Sequence, residues 1–326
     1  MTVLVDPPAW PAHGTVWSHL VSDSSLHELR AFARAVGLPD RGFDLDHYDA
    51  PADRYDELVA AGAVPLDGRS LARRLAASGL RVPGRERAGA KAAALRRRWA
   101  ALWPGDAAPG LLAVGDALVE RWREPHRVYH GPLHLAAALD ALDLLDPPAR
   151  PAPPSASSAP AHAGGGAGTD GPGRAGLLAR VALWFHDAVH DGEAGRDEER
   201  SAALAAELLG PCAAPAGPLT ADDVAEVQRL VLVTADHAPA DGDALGGLVS
   251  DADLAILGAE PAVYRRYVHQ VRAEYGHVPD DAFRLGRAAV LRQLLGLPRL
   301  FSTPAGLRRW ADRARANLAD ELASLG

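Results

Sequence analysis

One cysteine (Cys212), one lysine (Lys91) and no long apolar run set the first limits on this chain. A lone cysteine excludes an internal disulfide and any zinc site built from several thiolates. Without a run of about 20 apolar residues, no transmembrane helix is expected. The opening MTVLVDPPAW lacks the cationic head and apolar stretch of an export signal, so a cytoplasmic location is expected. A basic excess is missing too. The net charge of -8 argues against an extended nucleic-acid surface or an anionic-membrane surface. It leaves room for a small phosphorylated substrate met by a few local cations. The scarcity of lysine beside abundant arginine and alanine reads as a GC-rich genome and carries no chemistry.

What is present is enough for two domains. The chain has 326 residues, 48% of them hydrophobic, so a sizeable core can form. Residues 1–84 read as a small α/β domain. MTVLVD is an expected buried strand, and DPPAWPAHG an expected loop, because its prolines and glycine oppose regular structure. SDSSLHELRAFARAVGL is an expected helix with Ser24 as N-cap and Gly37 as its stop. YDELVAAGAVPL and SLARRLAASGLRV add two helices with a short strand between them. Residues 85–326 carry the 3.6-residue period almost throughout, so the expected fold class is mainly α. The last helix is expected to start at Pro304 with Thr303 as N-cap. Residues 147–174, rich in Pro, Ala, Gly and Ser, are expected to be a disordered insertion within the helical domain.

Three stretches carry chemistry. In FHDAVHD, His186 and His190 are four residues apart and share a face if the segment is helical, with Asp187 beside them. In YHGPLH, Pro132 suits a helix start; His134 then lies in the first turn and His130 in the loop before it. In LVSDADLAILG, Asp251 and Asp253 sit between apolar runs at an expected helix junction, where a carboxylate needs a cationic partner. His134, His186, Asp187 and Asp253 together make a mixed nitrogen and oxygen set. It suits manganese, iron, cobalt, nickel or zinc better than magnesium. One or two such ions lower the pKa of bound water and neutralise charge on a phosphoryl group, while His130 is free to act as general acid or base. Arg196, Arg200 and Arg272 are candidates to grip the phosphate, and His237 in TADHAP is a candidate substrate contact or simply a polar helix terminus.

In order and flanking sequence, RVYHGPLHL, WFHDAVHD, DEERSAALA, SDADLAILG, EYGHVPDDAFRLGRAAVL and ARANLADEL resemble the HD superfamily of metal-dependent phosphohydrolases, in a bacterial subgroup described only as predicted HD phosphohydrolases. The resemblance covers about residues 90–326 and implies an all-helical HD-type hydrolase domain acting on phosphomonoesters or phosphodiesters. It implies His134, His186, Asp187 and Asp253 as ligands, with Asp187 able to bridge two ions and Asp253 favoured over Asp251 through the ADL match. YHGPLH also resembles the opening of the metal site in cyclic-nucleotide phosphodiesterases, which implies His130 as the acid that protonates the leaving oxygen. The N-terminal unit resembles an uncharacterised bacterial domain through VDPPAWPAHGTVWSHLVSD and DHYDAP, and no activity follows from that.

Other readings stay beside these. His190 is read as a catalytic or substrate-facing group, or as a cap on its own helix. Asp197 and Glu198 at the start of DEERSAALA suit a helix dipole without catalysis. His186-x-x-x-His190 resembles a metalloprotease zinc helix, but that chemistry needs a glutamate where Asp187 stands. RERAGAKAAALRRRW is read as a solvated helix face in preference to a nucleic-acid contact. His13, His19, Asp44, Asp46, His47 and Asp49, in expected loops, form a pocket or satisfy turns; an accessory or substrate-selecting role is expected of this unit. The rival to an enzyme is a regulatory module that binds metal and nucleotide without turnover; a third possibility makes the helical domain a scaffold for residues 1–84.

Overall fold

The computed structural model describes all residues except 1, 13–14, 40–41, 104–108, 147–172, 194–195 and 326. The chain is mainly helical behind a small α/β region, and it forms two compact units. One comprises Met1–Ala94 with Glu260–Arg266, and the other Leu95–Ala259 with Tyr267–Gly326.

In the first unit the strands are β1 (Val3–Val5), β2 (Trp10–Ala12), β3 (Thr15–Ser22), β4 (Phe43–Asp44), β5 (His47–Pro51) and β6 (Val64–Pro65). They form one sheet in the order β4-β5-β3-β1-β6, with β2 paired to β3; β1 and β6 run parallel and the other pairs antiparallel. The helices are α1 (Leu26–Ala35), α2 (Tyr55–Ala60) and α3 (Gly68–Ala77). Strand alternation divides the core. Val3, Val5, Leu20 and Tyr48 pack with Leu29 and Leu58 on one side of the sheet, while Leu4 and Val21 pack with Leu71 and Leu75 on the other.

Three expectations change here. DPPAWPAHG is not all loop: Trp10–Ala12 pairs with β3, which a proline tolerates on an edge strand. The cap of α1 is Ser25, whose Oγ accepts the Glu28 N–H, whereas the Ser24 hydroxyl donates to the Glu28 carboxylate. Asp44, His47 and Asp49 lie on strands, and so does His19; their polar letters hid an alternation in which Tyr48 and Ala50 face inward. Gly37 ends α1 in the left-handed conformation, at a φ of 71°.

The second unit holds the last part of α4 (Gly84–Ala100), then α5 (Pro109–Trp122), α6 (Pro132–Leu145), α7 (Arg174–Phe185), α8 (Arg196–Leu209), α9 (Ala221–Leu232) and α10 (Ala244–Asp253). It is completed by the later part of α11 (Pro261–Glu274) and by α12 (Asp280–Gly296) and α13 (Pro304–Leu325). Every residue of α7 from Gly176 to Phe185 is buried, which marks it as the central helix. It packs against α6, α8, α9 and α10. Most of the expected insertion, 147–172, lies outside the described residues. Its last residue does not belong to it: Arg174 opens α7 and pairs with Asp223.

α13 begins where expected, because the Thr303 Oγ1 accepts the Gly306 N–H at 2.9 Å. That cap is itself held by Asp251, whose fully buried carboxylate accepts from the Ser302 N–H at 2.6 Å, the Thr303 N–H at 2.8 Å and the Thr303 hydroxyl at 2.7 Å. Gly306 admits no larger residue, since a Cβ there would lie 2.3 Å from the same carboxylate. Asp251→Ala is therefore expected to lower unfolding free energy by roughly 1–3 kcal/mol in urea titrations, through the lost cap and orphaned donors.

Candidate metal centre

α6, α7 and α10 present their side chains to the site from helix ends. Gly131 precedes α6 in extended conformation, and Pro132 supplies a first helical residue with no N–H to satisfy. His134 thus sits in the first turn, buried. α7 stops at Phe185, which puts His186 at its C-cap and Asp187 in the turn beyond. Asp253 is the last residue of α10.

These three ends converge. His134 Nε2 lies 3.1 Å from His186 Nε2, 3.1 Å from Asp253 Oδ1 and 3.5 Å from Asp187 Oδ2. His186 Nε2 lies 3.1 Å from Asp187 Oδ2 and 3.4 Å from Asp253 Oδ1. The Leu183 carbonyl, which can only accept, takes a hydrogen bond from His186 Nδ1 at 2.7 Å. That fixes Nε2 as the nitrogen facing the cluster. Trp122 packs against both imidazoles, and its Nε1–H donates to the Trp184 carbonyl at 3.0 Å. Tyr129 packs on His134 from another side, at a ring separation of 4.8 Å.

Burial opposes charge on all four groups, but their mutual attraction outweighs it. The Asp187 and Asp253 carboxyls are held well below the usual carboxylate range by the two imidazoles, and His186 is raised well above its ordinary value by the two carboxylates. His134 is raised by the same acids. Two ring nitrogens 3.1 Å apart are poorly placed to be protonated together. A cation between them would take the place of the proton they share, so acid would oppose metal binding here.

A second cluster adjoins the first. His130 stays in the loop before α6, with its ring 5.6 Å from that of His134. Its Nδ1 lies 2.5 Å from Glu274 Oε1, and His190 Nε2 lies 3.2 Å from the same oxygen. The other Glu274 oxygen accepts the backbone N–H groups of Val128, Tyr129 and His130. His190 does not share a helix face with His186, because α7 has already ended. It reaches the site through the turn, 4.0 Å from the His130 ring. Burial lowers the His130 pKa in spite of Glu274.

Arg127 explains why the helix stops. Its buried guanidinium donates to the carbonyls of Asp187 at 2.6 Å, Ala188 at 3.2 Å and His130 at 3.1 Å. It takes carbonyls that a longer helix would have used and ties both histidine-bearing loops together. Asp197 closes the same turn from the other side, accepting the N–H groups of Asp191, Gly192 and Glu193. Gly192 has a φ of 83°, and a Cβ there would press on the Tyr275 ring at 3.2 Å.

His237 reaches the cluster: its Nε2 lies 3.8 Å from Asp253 Oδ2, and its Nδ1 lies 3.3 Å from the Ser250 hydroxyl. It adopts a left-handed backbone with φ of 54°, and burial lowers its pKa. Asp251 instead faces the start of α13. Arg196 pairs with Glu193, Arg200 with Asp191, Glu193 and Asp197, and Arg272 with Asp280. Among the described residues no ion pair joins these arginines to Asp187 or Asp253. Glu274 and Arg127 escaped the sequence reading. Glu274 is one acid at the end of an amphipathic helix, 144 positions from His130; only proximity to YHGPLH hinted at Arg127.

A family model described as "Protein of unknown function (DUF4031)" matches residues 3–78, less than a quarter of the chain. The uncharacterised domain expected at the N-terminus is thereby identified. No curated protein and no solved structure matches the chain. Among the described residues, no helix is long and apolar enough to cross a membrane.

The second cluster makes a pH prediction. Burial raises the Glu274 carboxyl, but the hydrogen bonds from His130 and His190 outweigh that and hold it below its ordinary value of 4.5. A carboxyl depressed on folding contributes stability that is complete above its unfolded pKa and lost as pH falls below it. Urea unfolding between about pH 6 and pH 3 should show stability declining below roughly pH 4.5. The decline should be shallower in Glu274→Gln.

Proposed function

We propose that the helical unit hydrolyses a phosphate ester of a nucleotide or related small molecule, using a divalent metal ion held by His134, His186, Asp187 and Asp253. The observation that carries this reading is the convergence of four donor atoms from three separated chain segments: the two imidazole nitrogens lie 3.1 Å apart, and each lies 3.1–3.5 Å from both carboxylate oxygens. Bonds of about 2.0–2.2 Å to one ion set neighbouring donors roughly 3 Å apart, so the residues fit the group. The chemistry of the set favours manganese, iron, cobalt, nickel or zinc. The motif order that resembles the HD superfamily supports the same reading.

When bound, the ion supplies Lewis acidity and brings the pKa of water towards neutrality. The remaining work belongs to the chain. His186 is aimed by the Leu183 carbonyl, and Asp187 and Asp253 stay ionised to balance the cation. His130, with Nδ1 engaged by Glu274, keeps Nε2 for delivering a proton to the departing alkoxide. Its lowered pKa makes its imidazolium a readier donor. His190 shares the Glu274 carboxylate and holds the His130 ring in place, and His237 beside Asp253 is placed to meet a substrate oxygen.

The test is release of phosphate or nucleoside from a panel of nucleotides and generic phosphate esters, with manganese added to purified protein. Dialysis against chelator should abolish turnover, and added manganese should restore it. His130→Ala should lower kcat by about 10²–10⁴-fold, the range for loss of a general acid, with metal content retained. Asp187→Ala should lose both metal and turnover. Tight nucleotide binding with no hydrolysis of any panel member would instead mark a sensing module.

A further inference from the structure

We infer that the N-terminal unit carries a metal site of its own, in which His19 Nε2, His47 Nε2 and the Asp49 carboxylate bind a divalent first-row transition-metal ion. The three groups belong to one sheet face. His19 on β3 stands directly opposite Asp49 on β5, and His47 is two residues before Asp49, so all three project to the same side. His47 Nε2 lies 3.3 Å and His19 Nε2 3.9 Å from Asp49 Oδ1, and the three ligand atoms lie within 4.8 Å of one another.

An ordinary cross-strand ion pair would need nothing more. Here each imidazole is also held from behind by its own buried acid. His19 Nδ1 lies 3.0 Å from Asp6 Oδ2, and the other Asp6 oxygen accepts the His19 backbone N–H. His47 Nδ1 lies 2.7 Å from Asp46 Oδ1. Asp6 is 2% exposed and Asp46 0%. Burying two carboxylates beneath a sheet surface is costly unless each is engaged. Asp46 is further satisfied by the Val82 N–H at 2.7 Å and by Arg87 at 3.0 Å. A carboxylate on Nδ1 fixes the tautomer, turns Nε2 outward and raises its basicity, the outer-shell arrangement of metal-binding histidines. Its occurrence twice, with both Nε2 atoms directed at one carboxylate, is what a metal site requires and a surface salt bridge does not.

Two nitrogens and one oxygen suit zinc, iron, cobalt, nickel or manganese. Asp49 is half-exposed and His19 partly exposed, so coordination positions remain on the solvent side for a small ligand. The exposed Trp10 ring stands 5.3 Å from His19 and forms a wall beside that opening. Three protein ligands with an accessible remainder describe a reactive centre better than a closed structural one.

The experiment uses the full chain, stripped with chelator and titrated with cobalt(II), following visible absorption and bound metal per chain. His186→Ala/Asp187→Ala removes the helical site. In that background one cobalt per chain should remain, and adding Asp49→Ala should weaken it by at least about 100-fold. Asp6→Asn, which leaves all three ligands in place, should weaken it by about 10–100-fold, the usual effect of losing an outer-shell partner. Asp49 lies at the surface, so circular dichroism and the unfolding midpoint should be unchanged in its variant. In the otherwise wild-type chain, Asp49→Ala should remove one ion whether or not the helical site binds metal, which separates this inference from the proposed hydrolase. A folded double variant that binds no cobalt overturns it, and so does bound cobalt indifferent to both Asp49→Ala and His47→Ala.

Discussion

Two imidazoles and two carboxylates crowded together in a water-poor interior are unfavourable to bury singly, and they are tolerated only because each neutralises the others. The helical unit is arranged around that constraint. Its groups come from the start of one helix and the ends of two others, where backbone polar groups are free to make side-chain contacts. Aromatic rings close the remaining sides: Trp122 lies against both histidines and Tyr129 against His134, with Tyr267 packed on Tyr129 in turn. Behind Tyr267 stands Arg287, itself paired with the buried Glu321 of α13. The geometry of the four groups is thus supported from the far C-terminal helix.

Polar clamps do what helices alone would not. Arg127 joins the loop bearing His130 to the turn bearing Asp187, using the fork of one guanidinium that a lysine could not reproduce. Glu274 gathers three consecutive backbone N–H groups and two histidines on one carboxylate. Asp197, which reads in the sequence as a dipole-complementing acid, is buried and closes the 191–193 turn. In each case a charge is spent on shaping a loop, and the loop then aims a histidine.

What could be read from sequence was what is local. The 3.6-residue period located the helices, and the pairing of Pro132 with His134 located the latter in a first turn. The end of α7 was not legible, because FHDAVHD continues a helical pattern and Arg127 interrupts it from 60 positions away. The choice between Asp251 and Asp253 was likewise a tertiary matter: two residues apart, they face the α13 cap and the histidines respectively. In the N-terminal unit, short strands rich in His and Asp hid a period of two, and the buried acids behind His19 and His47 had no sequence signal beyond being aspartates.

His237 shows a different economy. A residue with a side chain is strained in the left-handed backbone it adopts, and glycine at that position would relax the turn after α9. Glycine would also take the ring away from Asp253. The position sets chain comfort against an imidazole at the cluster's edge, so a homologue bearing glycine there would gain an easier turn and forfeit whatever that ring handles.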